Sequence, residues 1–192
     1  MKKFIVITLG VLVFIGACIN NNSSASASDE TANTEEVTDS VNTDTNEVSE
    51  KTWDFTSDTD DMDDSVNKYY SLRSDNFANF DFPYQGDSYL TITVRYMKKY
   101  GYDVLLNIDK GQMVGNEYNG TNYVRVRFDN EKAEKYYYNE PSDGSADCVF
   151  IKNASKFIKK CKTAKTIIIE QEFYQEGVHQ FKFHVDKSLE MK

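Results

Sequence analysis

The sequence has little proline, glycine, cysteine or positive charge. Its 192 residues include two prolines, nine glycines and three cysteines, too few for a collagen-like or disulfide-dense chain. Lysine and arginine total 22 against 31 aspartate and glutamate residues, which gives a net charge of −9. A nucleic-acid-binding protein needs a basic stripe that displaces counterions, so this charge balance argues against a nucleic-acid partner.

One long apolar run occurs, and it lies close to the amino terminus. Lys2 and Lys3 precede an apolar stretch at residues 4–15. A membrane-spanning helix needs about 20 apolar residues, so this stretch is too short to be a comfortable span. Positive residues, a short apolar stretch and then small residues are typical of a cleaved export signal. We therefore expect residues 1–17 to be a signal peptide.

The residues that follow the apolar stretch, Ile15-Gly16-Ala17-Cys18, resemble the lipobox of bacterial lipoproteins. The resemblance implies that cleavage leaves Cys18 as the first residue and that Cys18 is acylated with several chains. Two or more acyl chains anchor a protein stably, whereas one chain binds a membrane only marginally. The expected location is the bacterial cell envelope, with a lipid anchor in a membrane. An ordinary signal peptide or membrane anchor with an incidental cysteine is the alternative.

The segment at residues 18–50 is predicted to be a disordered acidic tether. From residue 19 to residue 50 it carries eight acidic residues, no lysine or arginine, and no aromatic residue, glycine or proline. Such a composition cannot bury enough apolar surface to offset the entropy lost on ordering. Like charges keep the segment extended, so it separates the following domain from the membrane.

Residues 51–192 are predicted to form one β-rich globular domain. Apolar and polar residues alternate with period two through several short segments, as in strands that are buried on one side. One helix is predicted after Asn153 or Ser155, where Phe157, Ile158 and Cys161 share a face. Frequent turns and the lack of alternating helices favour an antiparallel β-sandwich or open barrel with this helix near its C-terminal end. Strands are predicted at residues 53–56, 66–73, 89–96, 102–109, 122–128, 135–139, 147–151, 166–174 and 178–185.

An arginine–tyrosine patch is the best candidate for a partner-binding surface. Arg95, Arg125 and Arg127 point outward from predicted strands that could be neighbours, together with Tyr123. Aligned arginine and tyrosine side chains suit an acidic protein partner, a glycan or a carboxylate. The alternative is that the arginines form ion pairs with nearby aspartates on a solvated face of the sheet.

The two cysteines of the domain are candidates for a disulfide. Cys148 lies on a predicted strand and Cys161 on the predicted helix, and an exported protein permits a bridge between them. A bridge requires Cα atoms within about 7 Å of each other. Both positions also suit apolar core residues, so the free-thiol alternative stays open.

No motif in the sequence predicts catalysis, a metal site or a cofactor. His179 shares a face with phenylalanines while His184 falls on the opposite face, so the two are not expected to bind one metal ion. The acidic run Asp58–Asp64 lacks the glycine and glutamate of an EF-hand loop. We expect no catalytic residues, no metal and no cofactor.

A second resemblance covers residues 53–185. The segments 53–55, 60–64, 90–95, 124–129 and 167–169 follow one another in an order that resembles a family of small exported bacterial domains of uncharacterised function. The order is similar, more distantly, to that of a small exported protein associated with type VI secretion. The resemblance implies a compact β-rich domain and no established chemistry. Tyr96 stands where the secretion-associated relatives carry a cysteine, so no site residue is transferred.

The sequence therefore predicts a lipid-anchored binding or interaction module of the cell envelope, with a protein or glycan partner. Two other classes stay open. One is an envelope hydrolase acting on a glycan or cell-wall substrate, which needs a cleft with carboxylates of perturbed pKa. The other is an inhibitor or immunity-like protein, which presents a rigid loop to a partner enzyme.

Overall fold

A computed structural model describes residues 50–115 and 122–191. The predicted signal peptide and most of the predicted tether lie outside these residues. The described part of the chain contains eleven strands and one helix. The elements are β1 (Asp54–Thr59), β2 (Val66–Arg73), β3 (Ala78–Asn79), β4 (Asp87–Ser88), β5 (Leu90–Met97), β6 (Gly101–Ile108), β7 (Tyr123–Phe128), β8 (Glu134–Asn139), β9 (Cys148–Ile151), α1 (Ala154–Cys161), β10 (Thr166–Phe173) and β11 (Gly177–His184).

Nine of these strands form one antiparallel sheet in the order β1-β2-β5-β6-β9-β8-β7-β10-β11. The sheet is not closed into a barrel, and it encloses one core in the manner of a β-sandwich. Strands β8 and β9 are joined by only two residue pairs, Tyr138 with Ile151 and Asn139 with Phe150. The expectation of a mainly antiparallel β domain with one helix near its C-terminal end is confirmed.

Side-chain alternation explains why these segments form strands. In β5, Leu90, Ile92 and Val94 are fully buried, whereas Thr91 and Thr93 are only partly covered. Strands β6, β7 and β10 follow the same pattern, whereas β1 is exposed along its whole length. Each Å² of buried apolar surface stabilises the fold by about 25 cal/mol. This energy fixes the register of the strands, because a slip of one residue would expose the whole buried row.

Helix α1 packs by a narrow apolar face. Phe157, Ile158 and Cys161 are buried, and Phe157 makes edge-to-face contacts with Phe128 and Tyr136 at 5.4 and 5.3 Å between ring centroids. The lysines of the helix point away from the core. Its exposed residues include Lys156 and Lys159, and no acidic residue lies in its first turn. The outer side of the helix is therefore positively charged.

The small hairpin β3–β4 was not predicted, because two-residue strands contain no measurable period. It lies in the segment that follows β2 and includes a stretch rich in phenylalanine and tyrosine, which we name the aromatic loop (residues 77–84). Phe80 is buried at the core boundary, whereas Phe82 is 81% exposed. The aromatic residues of this loop are therefore divided between the core and the surface.

The outer edge of β11 is covered by the segment that follows β2. The Asp75 N–H donates to the Lys182 carbonyl at 2.7 Å, and the Lys182 N–H donates to Asn76 Oδ1 at 2.7 Å. The His184 N–H donates to the Asp75 carboxylate at 2.7 Å. These contacts satisfy backbone groups that would otherwise form an exposed edge for strand addition.

A glycine substitution tests the packing of the aromatic loop. Gly111 has φ of 103°, and a Cβ atom there would lie 2.6 Å from a ring carbon of Phe80. Gly111→Ala should lower the free energy of unfolding by about 3 kcal/mol, through backbone strain and overpacking together. Gly144→Ala is the matched control, because Gly144 has φ of 76° with open space around it. It should cost only about 1 kcal/mol. Equal losses in urea unfolding would contradict the packing described for Phe80.

Candidate binding site

A surface cavity of about 440 Å³ lies between β8 and the start of α1. We name it the cationic cleft. Its lining combines three lysine side chains with two tyrosines and one asparagine. The lining residues are Lys135, Tyr136, Tyr137, Lys152, Asn153 and Lys156.

Alternation along β8 and a sharp turn before α1 build the cationic cleft. Tyr136 is buried at 4% exposure, whereas Lys135 and Tyr137 face solvent. The Lys152 N–H donates to the Tyr137 carbonyl at 2.7 Å, which holds the end of β9 beside β8. Asn153 then adopts the left-handed conformation, with φ of 56°, and turns the chain into the helix. Lys156 consequently lies on the first turn of α1, facing the same cavity.

The lysines of the cationic cleft are only partly neutralised. Lys156 Nζ lies 2.5 Å from a carboxylate oxygen of Glu134, and this hydrogen bond lowers the pKa of Glu134. Lys135 Nζ lies 3.8 Å from the centroid of the Tyr123 ring, a cation–π distance. Within residues 50–115 and 122–191, the ammonium group of Lys152 has no ion pair or hydrogen bond. The cationic cleft therefore carries a net positive charge.

The tyrosines give the cationic cleft an aromatic floor and wall. Burial raises the pKa of Tyr136 to about 12, so its hydroxyl stays neutral at physiological pH. Lys156 Nζ is 5.2 Å from the centroid of the Tyr136 ring. Tyr137 is 41% exposed and offers its ring to solvent. Ammonium groups beside exposed aromatic rings can hold a carboxylate, phosphate or sulfate group and pack against the atoms that carry it.

The predicted arginine–tyrosine patch does not exist as one surface. Arg95 lies on β5 and Arg125 on β7, and the strands β6, β9 and β8 separate them in the sheet. Arg95 forms an ion pair with Asp103 at 2.7 Å and lies over the ring of Phe150 at 5.6 Å. The prediction of a shared patch was wrong because β6 pairs with β9 rather than with the next strand in the chain. The alternative of a solvated ion pair holds for Arg95 with Asp103.

The other three residues of that predicted patch lie on β7 and have different surroundings. Arg125 forms an ion pair with Glu170 at 2.6 Å. Arg127 is exposed, and its guanidinium has no partner in the described part of the chain. Tyr123 contacts Lys135 and lies 6.2 Å from Tyr137, so it extends the aromatic wall of the cationic cleft. None of the four predicted residues lines the cationic cleft, but Tyr123 and Arg125 are the cross-strand neighbours of its residues Tyr137 and Lys135.

Both cysteines of the domain are free thiols in the structure. Cys148 lies on the outer face of β9, because Val149 and Ile151 occupy the inner face. Cys161 is 1% exposed inside the core, under α1. Burial raises the pKa of both thiols. The disulfide that the sequence left open is not formed, since the two side chains lie on opposite sides of the sheet.

The histidines occupy structural and solvent-exposed positions. The ring of His179 packs edge-on against Phe80 at 5.2 Å and Phe173 at 5.9 Å, and Nε2 lies 3.1 Å from the Glu176 carbonyl. His184 is largely exposed, 3.4 Å from Asp186. Among the residues that the structure describes, no three His, Cys, Asp or Glu side chains are placed to share a metal ion.

Sequence reasoning missed the cationic cleft. Its lysines come from β8, from the connection after β9 and from α1, and their proximity depends on the pairing of β8 with β9. The high lysine content at residues 152–162 was the available signal.

Over the described residues, no helix is long and apolar enough to cross a membrane. In comparisons with known proteins, no family model, curated protein or solved structure matches this chain.

Thiol accessibility tests the placement of the two cysteines. In the Cys18→Ala chain, one thiol should react with a disulfide reagent such as DTNB in the folded protein, because Cys148 is partly exposed and Cys161 is buried. The reaction should be slower than that of a free thiol, since burial raises the pKa of Cys148. Cys148→Ser should abolish this reaction, and Cys161 should react only after unfolding. Failure of both thiols to react, with a mass two hydrogens lower, would demonstrate a disulfide and contradict the structure.

Proposed function

We propose that this chain is a lipid-anchored binding module of the bacterial cell envelope, which holds an anionic group of a protein or glycan partner in the cationic cleft. The observation that carries the proposal is the unpaired ammonium group of Lys152 beside Lys135 and Lys156. A domain with a net negative charge that gathers three lysines around one cavity has local complementarity to an anion. Tyr137 adds an aromatic surface of the kind enriched in binding sites.

The membrane anchor is the second part of the proposal. It rests on the likeness of Ile15-Gly16-Ala17-Cys18 to a lipobox and on the apolar stretch before it. Several acyl chains on Cys18 would hold the protein at the membrane. The acidic segment at residues 19–50 would then act as the tether, because its charges repel one another and extend it. The folded domain would search for its partner within the reach of this tether.

The chemistry of the cationic cleft supports binding rather than hydrolysis. Glycoside hydrolysis commonly requires two carboxyl groups, one of which has a raised pKa so that it can donate a proton. The cationic cleft borders on one carboxylate, Glu134, and the hydrogen bond from Lys156 lowers its pKa. An ionised, paired carboxylate is poorly suited to act as a general acid.

A specific observation also favours the inhibitor-like alternative. Phe82 is 81% exposed on the loop between β3 and β4. The loop is held by the Asp81 N–H, which donates to the Glu176 carboxylate at 2.9 Å, and by the Tyr84 N–H, which donates to the Asp81 carbonyl at 2.9 Å. A rigid loop that exposes one aromatic ring resembles the anchor of an enzyme inhibitor.

Removal of the lipidated cysteine tests the anchor. The native chain should be recovered in the membrane fraction, and its intact mass should begin at Cys18 with added acyl chains. Cys18→Ala should leave the membrane fraction or accumulate uncleaved, since the acylation site is missing. A soluble native chain with an unmodified terminus cut elsewhere would contradict the anchor and leave the cationic cleft unaffected.

Charge reversal tests the cationic cleft. Lys152→Glu should lower the affinity for poly-L-glutamate by about tenfold, because the unpaired ammonium group is replaced by a carboxylate that repels the ligand. The affinity is measured by isothermal titration calorimetry at low salt. Lys182→Glu is the matched control, since Lys182 is an exposed lysine on β11 and the charge change is identical. Equal weakening by the two variants would indicate general electrostatics and contradict a defined site.

A further inference from the structure

A second cavity lies on the other side of α1 and differs in character from the cationic cleft. It has a volume of about 260 Å³, and we name it the apolar pocket. Its surfaces are Tyr102, Ile158 and Met191, with two lysines among its remaining lining residues. The full lining is Tyr102, Ser155, Ile158, Lys159, Lys162 and Met191.

The apolar pocket joins a hydrophobic surface to positive charge. Ile158 is 6% exposed and belongs to the core, whereas Tyr102 is 42% exposed and Met191 is partly buried. In the described part of the chain, Lys159 and Lys162 form no ion pair, and both are exposed. The volume suits one leucine-sized or phenylalanine-sized side chain. The lysines favour an occupant with acidic neighbours.

From these observations we infer that the partner is an acidic polypeptide segment, which places a carboxylate in the cationic cleft and an apolar side chain in the apolar pocket. This inference rests on the proposed function and narrows its partner from a protein or glycan to a protein. A charged glycan would satisfy the lysines but offers no aliphatic or aromatic side chain for the pocket. The acidic peptide accounts for both cavities at once.

The width of α1 fits a short stretch of peptide. The cationic cleft and the apolar pocket lie on two sides of α1, and a helix with its side chains is about 10 Å across. An extended peptide covers about 3.3 Å per residue, so three or four residues separate the carboxylate from the apolar side chain. A single continuous segment of the partner can therefore reach both cavities.

An anionic bilayer is the competing occupant, and the exposed side chains of α1 argue against it. Helices that lie in a membrane surface carry exposed aromatic or aliphatic residues that enter the lipid. The large apolar residues of α1, Phe157 and Ile158, are both buried. Elsewhere in residues 50–115 and 122–191, the two most exposed large apolar side chains, Met62 and Phe82, belong to loops outside this surface. Beside α1, Tyr102 and Tyr137 are less than half exposed. The lysines around α1 line cavities, which suit a protruding side chain better than a flat lipid surface.

Two labelled peptides test this inference in the full chain, made with Cys18→Ala to keep it free of acyl chains. One peptide has two glutamates, three glycines and a leucine, and the other has glycine in place of the leucine. The leucine peptide should bind about tenfold more tightly by fluorescence anisotropy, because burial of a leucine side chain is worth at least that factor. Met191→Glu should reduce its affinity to that of the glycine peptide, whereas Met62→Glu, at a 93% exposed position, should have no effect.

The outcomes separate the two proposals. Equal affinity of the two peptides would overturn the acidic-polypeptide inference, and the proposed function would stand if Lys152→Glu weakened both. Absence of binding by either peptide would overturn both proposals. The leucine peptide is also challenged with vesicles of equal parts phosphatidylcholine and phosphatidylglycerol. If the vesicles displaced the peptide from the Cys18→Ala chain, and Lys159→Glu abolished this displacement, the occupant would be a membrane. That result would overturn the inference.

Discussion

The packing of Phe157 against Phe128 and Tyr136 is the contact on which the rest of the candidate site depends. Phe157 is fully buried, and it joins helix α1 to strands β7 and β8 through two edge-to-face contacts. Removal of an aromatic ring from such a core position typically costs about 3–5 kcal/mol. The same contact places Lys156 beside β8. The position of the cationic cleft is thus fixed by the hydrophobic core.

Burial of its apolar face leaves the helix with a surface made almost entirely of lysine. In a domain whose net charge is negative, this surface is a local exception, and Glu134 and Glu131 neutralise only Lys156 and Lys160. The remaining charge lies where two cavities flank the helix. Exposed ion pairs contribute little to stability, so the unpaired lysines have no clear structural purpose. Under the proposed function, these lysines recognise an anion.

The sequence predicted local structure well and the long-range arrangement poorly. The bounds of β2 match those predicted, and the buried faces of β5 and β7 follow from alternation, because the residues of a strand that is buried on one side show which face is inward. In β2 the phase differs at its start, where Val66 is exposed and Asn67 is buried. The arginine patch failed because the neighbour of β6 is β9, which no local pattern specifies. The cationic cleft was missed for the same reason, since Lys135 and Lys152 meet only through the pairing of β8 with β9.

The central claim is that the lysines beside α1 form one anion-binding site. A ¹⁵N-labelled chain titrated with poly-L-glutamate tests it most directly, because backbone amide shifts report the position of the ligand residue by residue. The account predicts the largest shifts at residues 135–137 and 152–156, saturating together with one affinity. Shifts centred on Arg125 and Arg127, or no localised shifts at any ligand concentration, would contradict it.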